Sequence, residues 1–217
     1  MVKKRYGRTV GMAVAGIMLA VLAYTGLQYQ AALRGMDRAA ELYGQGNLED
    51  ALKTYEGVEA RLRAHAAMRL LPAGDRQTLL LNQARILYAL GRYDEALERL
   101  QREDDISGVA TDGRFFRLRG NITFRRAMDE YRKPSKTPRV TPADLAQSMN
   151  LLQEGLIRAA DSYRQSLQID PNDWDAKYNY EYVEKMQKDI AGAANENTKI
   201  LQEELPPTES LPPEKVG

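Results

Sequence analysis

The first apolar stretch of the chain is continuous rather than periodic. From Val10 to Leu27 the residues are apolar or small almost throughout, and residues 9–33 carry no charge. A helix over Val10 to Leu27 would cover about 27 Å, close to the hydrocarbon core of a bilayer, roughly 30 Å. The pattern predicts one transmembrane helix at residues 9–29.

Charge on the two sides of this segment predicts its orientation. Residues 1–8 contain four basic residues and no acidic one, whereas residues after the segment carry mixed charges. Basic flanks stay cytoplasmic, so residues 1–8 are predicted inside and the rest outside, which in a bacterium means the inner membrane and the periplasm. The alternative is a cleaved secretory signal, for which Val21 and Ala23 are tolerable small residues before a cut. Both alternatives carry the remaining chain across the membrane.

Beyond the apolar segment, hydrophobic residues recur at helical spacing, and we predict an all-α domain over residues 30–190. The predicted helices are 28–44, 48–68, 75–90, 93–103, 112–132, 142–168 and 172–190. Residues 191–217 hold four of the nine prolines and few apolar anchors, so they are predicted to form a flexible, disordered Pro-rich tail. Its two Leu-Pro-Pro motifs could also be recognised in extended polyproline form.

Two turns share one local pattern, in which a Gly is followed five residues later by Ala-Leu. Gly46 precedes Ala51 and Gly91 precedes Ala96, and a third segment runs from Ala159 to an Asp-Pro-Asn junction at 170–172. These features resemble tetratricopeptide (TPR) repeats, where Gly closes the first helix of a hairpin and Ala in the second allows close helix approach. The resemblance implies TPR-like hairpins stacked as an α-solenoid.

The repeat spacing is irregular. Ala51 and Ala96 are 45 residues apart, and Ala96 and Ala159 are 63 apart, against a TPR period of about 34. The excess falls around residues 63–75 and 132–149, where KPSKTPRVTP cannot be helical throughout. A plain helical bundle is the alternative fold.

The composition gives little support to catalysis. The chain has no cysteine and one histidine, His65, without ligand or base partners at suitable spacing. A net charge of +1 gives no general attraction to nucleic acid. We therefore predict no enzyme activity, no metal or other cofactor, no small-molecule substrate and no nucleic-acid partner.

A local concentration of charge points to a binding surface. Residues 114–139 contain nine basic residues against two acidic ones. Aligning Gly120 and Ala84 with the small position of TPR first helices predicts a groove for an acidic peptide or a C-terminal carboxylate. The candidate groove residues are Asn82, Arg85, Tyr88, Arg114, Arg117, Asn121, Phe124 and Arg125. Alternatives are that these arginines are solvated, pair with the acidic tail, or attract anionic lipid headgroups.

The order of a basic start, a spanning helix, irregular hairpins and the closing stretch Asp170 to Glu181 resembles bacterial membrane-anchored TPR accessory proteins. Members are encoded beside MoxR-type ATPases and von Willebrand factor A proteins, including those for methanol dehydrogenase maturation. The resemblance implies a periplasmic scaffold that binds other proteins of a membrane or periplasmic complex during its assembly. A structural subunit, held by the transmembrane helix and the convex face without a peptide groove, is the alternative.

Overall fold

The computed structural model describes residues 3–64, 71–101, 112–132 and 141–193, and within these ranges the chain is all-helical with no strand. This confirms the predicted all-α class. The helices are α1 (Lys3–Gly44), α2 (Leu48–Ala64), α3 (Ala73–Ala89), α4 (Tyr93–Gln101), α5 (Gly113–Arg132), α6 (Pro142–Ile169) and α7 (Trp174–Ala193). His65, most of the KPSKTPRVTP segment and nearly all of the predicted tail lie outside the described residues.

Helix α1 is one continuous helix with two different halves. Large apolar side chains between Met12 and Leu27 are exposed on all sides, Leu27 to 66%. Burial begins at Ala32, and Met36 and Ala39 are almost completely covered. The helix is therefore long and apolar enough to span a membrane at its N-terminal end, while its C-terminal end packs as part of a protein core.

The two Gly turns have the same hydrogen-bonded geometry. Gly46 has φ 80° and Gly91 has φ 73°, the left-handed conformation that a residue with a Cβ adopts only with strain. The Asn47 N–H donates to the carbonyl of Leu42 at 2.9 Å, and the Arg92 N–H donates equivalently to that of Leu87 at 2.8 Å. Both turns are Schellman-type caps. The predicted role of these glycines is confirmed.

Two compact units make up the chain, one comprising the described residues through Leu79 and the other those from Leu80 onward. In the first, α1 packs against α2. A Cβ placed on Gly35 would collide with the side chain of Val58, so the two helices meet closely there. Ala39 and Ala51 are both fully buried.

The second unit is built around α5 and α6, with α4 packed on α5 and α7 packed mainly on α6. A Cβ on Gly120 would lie 2.5 Å from the Tyr163 ring, and one on Gly155 would collide with Ala127. Small residues at both points let α5 and α6 approach closely. Their core cluster contains Phe124, Ala127, Met128, Leu152, Leu156, Ala159, Ala160, Tyr163, Val183 and Ile190.

Candidate functional site

Three of the predicted groove residues lie in one row on α5. Arg117, Asn121 and Arg125 are spaced by four residues within Gly113–Arg132, so they project from the same side of the helix. All three interact, directly or electrostatically, with residues of α7. We call this arrangement, together with Tyr178 and Tyr182 of α7, the α5–α7 face.

Arg117 forms the first polar link of the α5–α7 face. Its Nη1 donates to Asp173 Oδ1 at 2.7 Å and to Asp175 Oδ2 at 3.1 Å. The Arg117 side chain is 15% exposed and that of Asp173 only 6%. Asp173 also accepts a hydrogen bond from the Ala176 N–H at 3.0 Å, which caps the start of α7. Arg117 therefore fixes α7 against α5.

Asn121 forms the second link. It is 8% exposed, and its Oδ1 accepts hydrogen bonds from the Tyr163 hydroxyl at 2.8 Å and from Asn179 Nδ2 at 3.0 Å. One side-chain oxygen thus joins α5, α6 and α7. Burial raises the pKa of Tyr163 above its ordinary value, so this hydroxyl stays protonated and remains a donor.

Arg125 lies within electrostatic reach of several phenols. Its positive charge lowers the pKa of Tyr93, Tyr163 and Tyr182, although burial raises each by more. For Tyr93 the pKa rises to about 12, because of burial first and then a hydrogen bond to Asp129. Arg125 is half-buried. This end of the face combines a cation with aromatic rings, a combination suited to carboxylates and to peptide backbone.

Tyr88 brings a polar group with no partner to the same region. Its hydroxyl is buried and makes no hydrogen bond within the described residues, and its ring centroid lies 6.0 Å from that of Tyr93. Leaving a buried hydroxyl unsatisfied costs about 1–3 kcal/mol.

The other predicted groove residues have different surroundings. Asn82 and Arg85 are 1% and 8% exposed, and Arg85 Nη1 donates to Asn82 Oδ1 at 3.3 Å. Phe124 is 3% exposed and packs in the core, edge-on to Tyr182 with ring centroids 5.9 Å apart. Arg114 donates to Asp112 beside the start of α5, at 2.8 Å from Nη2, and this bond raises the pKa of Arg114. These four contribute to packing and helix termini rather than to the row on α5.

A polar cavity of about 490 Å³ opens at the N-terminal end of α5. Its lining consists of Asp112, Gly113, Arg114, Arg117, Asp170, Asn172, Asp173, Trp174 and Asp175. Trp174 is 74% exposed, and Lys177 Nζ lies 5.0 Å from its ring centroid. Because Arg117 lines this cavity, the cavity and the α5–α7 face are continuous.

Aromatic residues on α7 were not among the predicted groove residues. Trp174, Tyr178 and Tyr182 follow at intervals of four; the first two are 74% and 58% exposed, whereas Tyr182 is half-buried against the core. That spacing is a helical pattern visible in the sequence. Exposed Trp and Tyr side chains are enriched among residues that dominate protein interfaces. Trp174 and Tyr178 therefore offer exposed aromatic surface, which the buried Phe124 does not.

Within the described ranges, no group of three or more His, Cys, Asp or Glu residues is placed to hold a metal ion. Comparisons of the chain with protein-family models, with curated proteins and with solved structures gave no match.

Proposed function

We propose that this protein is a membrane-anchored, TPR-like scaffold that binds partner proteins through the α5–α7 face. The observation that carries the proposal is that one chain contains both an apolar helix exposed on all sides and, in its second unit, a polar and aromatic surface. The first feature fits an anchor and the second fits a peptide-binding surface.

The TPR assignment is supported by the small residues that the resemblance singles out. Ala39 and Ala84 of the first helices and Ala51, Ala96 and Ala159 of the second helices are all 0% exposed. Gly120 contacts the Tyr163 ring at the equivalent place on α5. Close helix approach at these positions is what TPR hairpins require.

The occupant of the α5–α7 face is a peptide segment with an acidic or C-terminal carboxylate. Arg125 supplies the positive charge, and Tyr178 supplies exposed aromatic surface. Arg117 and Asn121 hold the helices in place, because their polar atoms are already bonded within the chain.

Orientation follows from charge. The basic N-terminus stays in the cytoplasm, α1 crosses the inner membrane, and the helical domain faces the periplasm. The resemblance of the sequence to accessory proteins encoded beside MoxR-type ATPases supports a role in assembly or maturation of an exported complex.

The test is crosslinking and co-purification of the full-length chain from detergent, read by mass spectrometry. The variant Arg125→Ala/Tyr178→Ala changes the face without touching the Arg117 and Asn121 links. The control Arg158→Ala/Ile157→Ala removes one arginine and one exposed apolar residue from the solvent side of α6. Loss of the dominant partner in the first variant alone supports the proposal, and capture of the same set by both variants contradicts it.

A structural subunit held by α1 and the outer surface is the second candidate. The observation in its favour is that Arg117 and Asn121, central to the predicted groove, are bonded internally. In that case the Arg125→Ala/Tyr178→Ala variant keeps its partners, and replacing residues 9–29 with an unrelated membrane helix disperses them.

A further inference from the structure

We propose that the membrane-facing end of the α1–α2 hairpin, which carries Arg61 and Arg63, lies in the lipid headgroup layer and binds anionic phospholipid headgroups. The inference rests on membrane anchoring by α1, which is part of the proposed function. It does not depend on peptide binding by the α5–α7 face.

The continuity of α1 leaves no linker between membrane and domain. Leu27 is 66% exposed at the end of the apolar segment, and Ala32, 5% exposed, is already packed in the domain. The helix is unbroken from Lys3 to Gly44. Five residues of helix correspond to about 7.5 Å. The first packing contact of the domain therefore lies within about 7.5 Å of the end of the apolar segment.

The packing of α2 on α1 determines how far the arginines of α2 lie from the membrane. Gly35 lies against Val58, and the two helices are antiparallel because a short turn joins Gly44 to Leu48. Moving forward along α2 from Val58 to Arg61 therefore corresponds to moving back along α1 from Gly35 to Ala32. Arg63 reaches the level of residue 30. The Cα atoms of both arginines lie about 4–8 Å beyond Leu27 along the helix axis. Their Nε atoms reach back toward Gly57 and Glu59, one turn farther from the membrane.

That height coincides with the headgroup layer. A bilayer of about 40–45 Å with a hydrocarbon core of about 30 Å has roughly 5–8 Å of headgroup region on each side. A typical tilt of about 20°, acting over a helix separation of about 9 Å, changes the level of α2 by about 3 Å. A tilt that raises α2 puts Arg61 about 10 Å and Arg63 about 7 Å beyond Leu27, so Arg63 stays within the headgroup layer and Arg61 lies just above it.

The side chains at this end favour an anionic partner. Arg61 is exposed, and its Nε donates to the Gly57 carbonyl of its own helix at 3.3 Å. No carboxylate of the described residues pairs with Arg61. Arg63 Nε donates to the buried Glu59 carboxylate at 3.0 Å while 43% of its side chain stays exposed. A guanidinium can bind a phosphate in bidentate fashion while keeping another contact.

The start of α3 lies at the same level. Tyr29 donates through its hydroxyl to Asp75 Oδ2 at 2.8 Å, which fixes the beginning of α3 beside residue 29 of α1. Arg34 and Arg76 add positive charge near this end, where the carboxylates are those of Glu59, bonded to Arg63, and Asp75, bonded to Tyr29. Four arginines against two carboxylates leave a net charge of about +2 next to the bilayer, and each positive charge is worth about 1 kcal/mol toward an anionic surface.

The first experiment measures height. The chain has no cysteine, so single cysteines can be labelled cleanly with a fluorophore in the full-length protein reconstituted into vesicles. Ala60→Cys lies beside Arg61, and the matched control Glu49→Cys lies at the other end of α2, about 16 Å farther along the helix. A nitroxide attached to lipid headgroups should quench the label at position 60 strongly and the label at position 49 weakly.

The second experiment measures lipid preference. Quenching of the position-60 label by spin-labelled phosphatidylglycerol is compared with quenching by spin-labelled phosphatidylcholine at low salt. We expect a preference for the anionic lipid of at least about fivefold, the factor for 1 kcal/mol from a single arginine, and its loss in Arg61→Gln/Arg63→Gln. The control Arg38→Gln/Lys53→Gln removes the same charge from the distal half of the hairpin and should keep the preference.

Each outcome is decisive. Strong quenching at position 60 with no lipid preference overturns headgroup binding, and equal quenching at positions 60 and 49 overturns the placement. If the preference for the anionic lipid survives in Arg61→Gln/Arg63→Gln, other residues cause it, and the proposal is also overturned. If alkaline carbonate releases the chain from the vesicles, the proposal that α1 is a membrane anchor is wrong. If quenching is as expected but no partner protein is captured, only the proposal that the α5–α7 face binds a peptide is wrong.

Discussion

The hydroxyl of Tyr163 on α6 lies 2.8 Å from Oδ1 of Asn121 on α5, and the same oxygen accepts a hydrogen bond from Asn179 on α7. Tyr163 is 1% exposed and Asn121 is 8% exposed. Buried polar groups stabilise a structure when they are satisfied and destabilise it when one partner is removed. The three helices are therefore joined by a buried polar contact at one side-chain oxygen.

Replacing Tyr163 with Phe tests this contact. The ring remains against Gly120 while the donor is lost, and Asn121 keeps its bond from Asn179, so we expect destabilisation by about 1 kcal/mol. Thermal unfolding of the full-length chain, followed by circular dichroism, measures the change. Tyr178→Phe is the control, because Tyr178 is 58% exposed and should change stability by less than about 0.5 kcal/mol. If Tyr163→Phe and wild type are equally stable, this hydrogen bond does not contribute to the stability of the fold.

Gly120→Ala tests the close approach of α5 and α6. The new methyl would lie 2.5 Å from the Tyr163 ring, and the ring is buried too deeply to move freely. Overpacking of this kind costs about 1–3 kcal/mol. In the same assay Gly57→Ala, inside α2 with no atom within 4 Å of its Cβ, should stabilise by about 0.5–1 kcal/mol. The prediction is wrong if both substitutions shift stability in the same direction.

The sequence predicts the turns well because their cause is local. A chain that reverses after Gly46 or Gly91 needs a left-handed residue, and Gly is the residue that adopts this conformation without strain. The buried alanines at 51, 96 and 159 are likewise visible in the sequence, since a small residue at helical spacing permits close packing. The candidate membrane span that ends at Leu27 can also be predicted from the sequence, because the length and hydropathy of the segment alone identify it.

The partners across the α5–α7 face could not be predicted in the same way. Asp173 and Asn179 are more than 50 residues from Arg117 and Asn121, and their meeting depends on how α7 packs on α6. Phe124 was placed in the groove from spacing alone. It lies on the same side of α5 as Asn121, and it is buried because α6 and α7 cover it, with the Tyr182 ring edge-on at 5.9 Å.

Gly46→Ala should destabilise the first hairpin by about 1–2 kcal/mol, because its φ of 80° forces a Cβ into an unfavourable conformation. Gly44→Ala, two residues earlier at the end of α1, meets no neighbouring atom and has no positive φ, so it should be neutral or stabilising. Chemical denaturation of the two variants in detergent compares them directly. A loss of stability in Gly44→Ala equal to that in Gly46→Ala would show that the conformation is not the cause.

The hydroxyl of Tyr93 should make stability depend on alkaline pH. Burial and the hydrogen bond to Asp129 raise its pKa to about 12 in the folded chain, against about 10 when unfolded. Between these values the unfolded chain releases the proton and the folded chain keeps it, so stability falls as pH rises from about 10 to about 12. The pKa values of Tyr163 and Tyr182 are raised in the same direction. Tyr93→Phe should therefore show a smaller fall in melting temperature over this range than wild type, whereas Tyr178→Phe should match wild type. Because lysines lose their protons equally in all three chains, the difference between slopes isolates Tyr93, and identical slopes would mean that its hydroxyl has no raised pKa in the folded state.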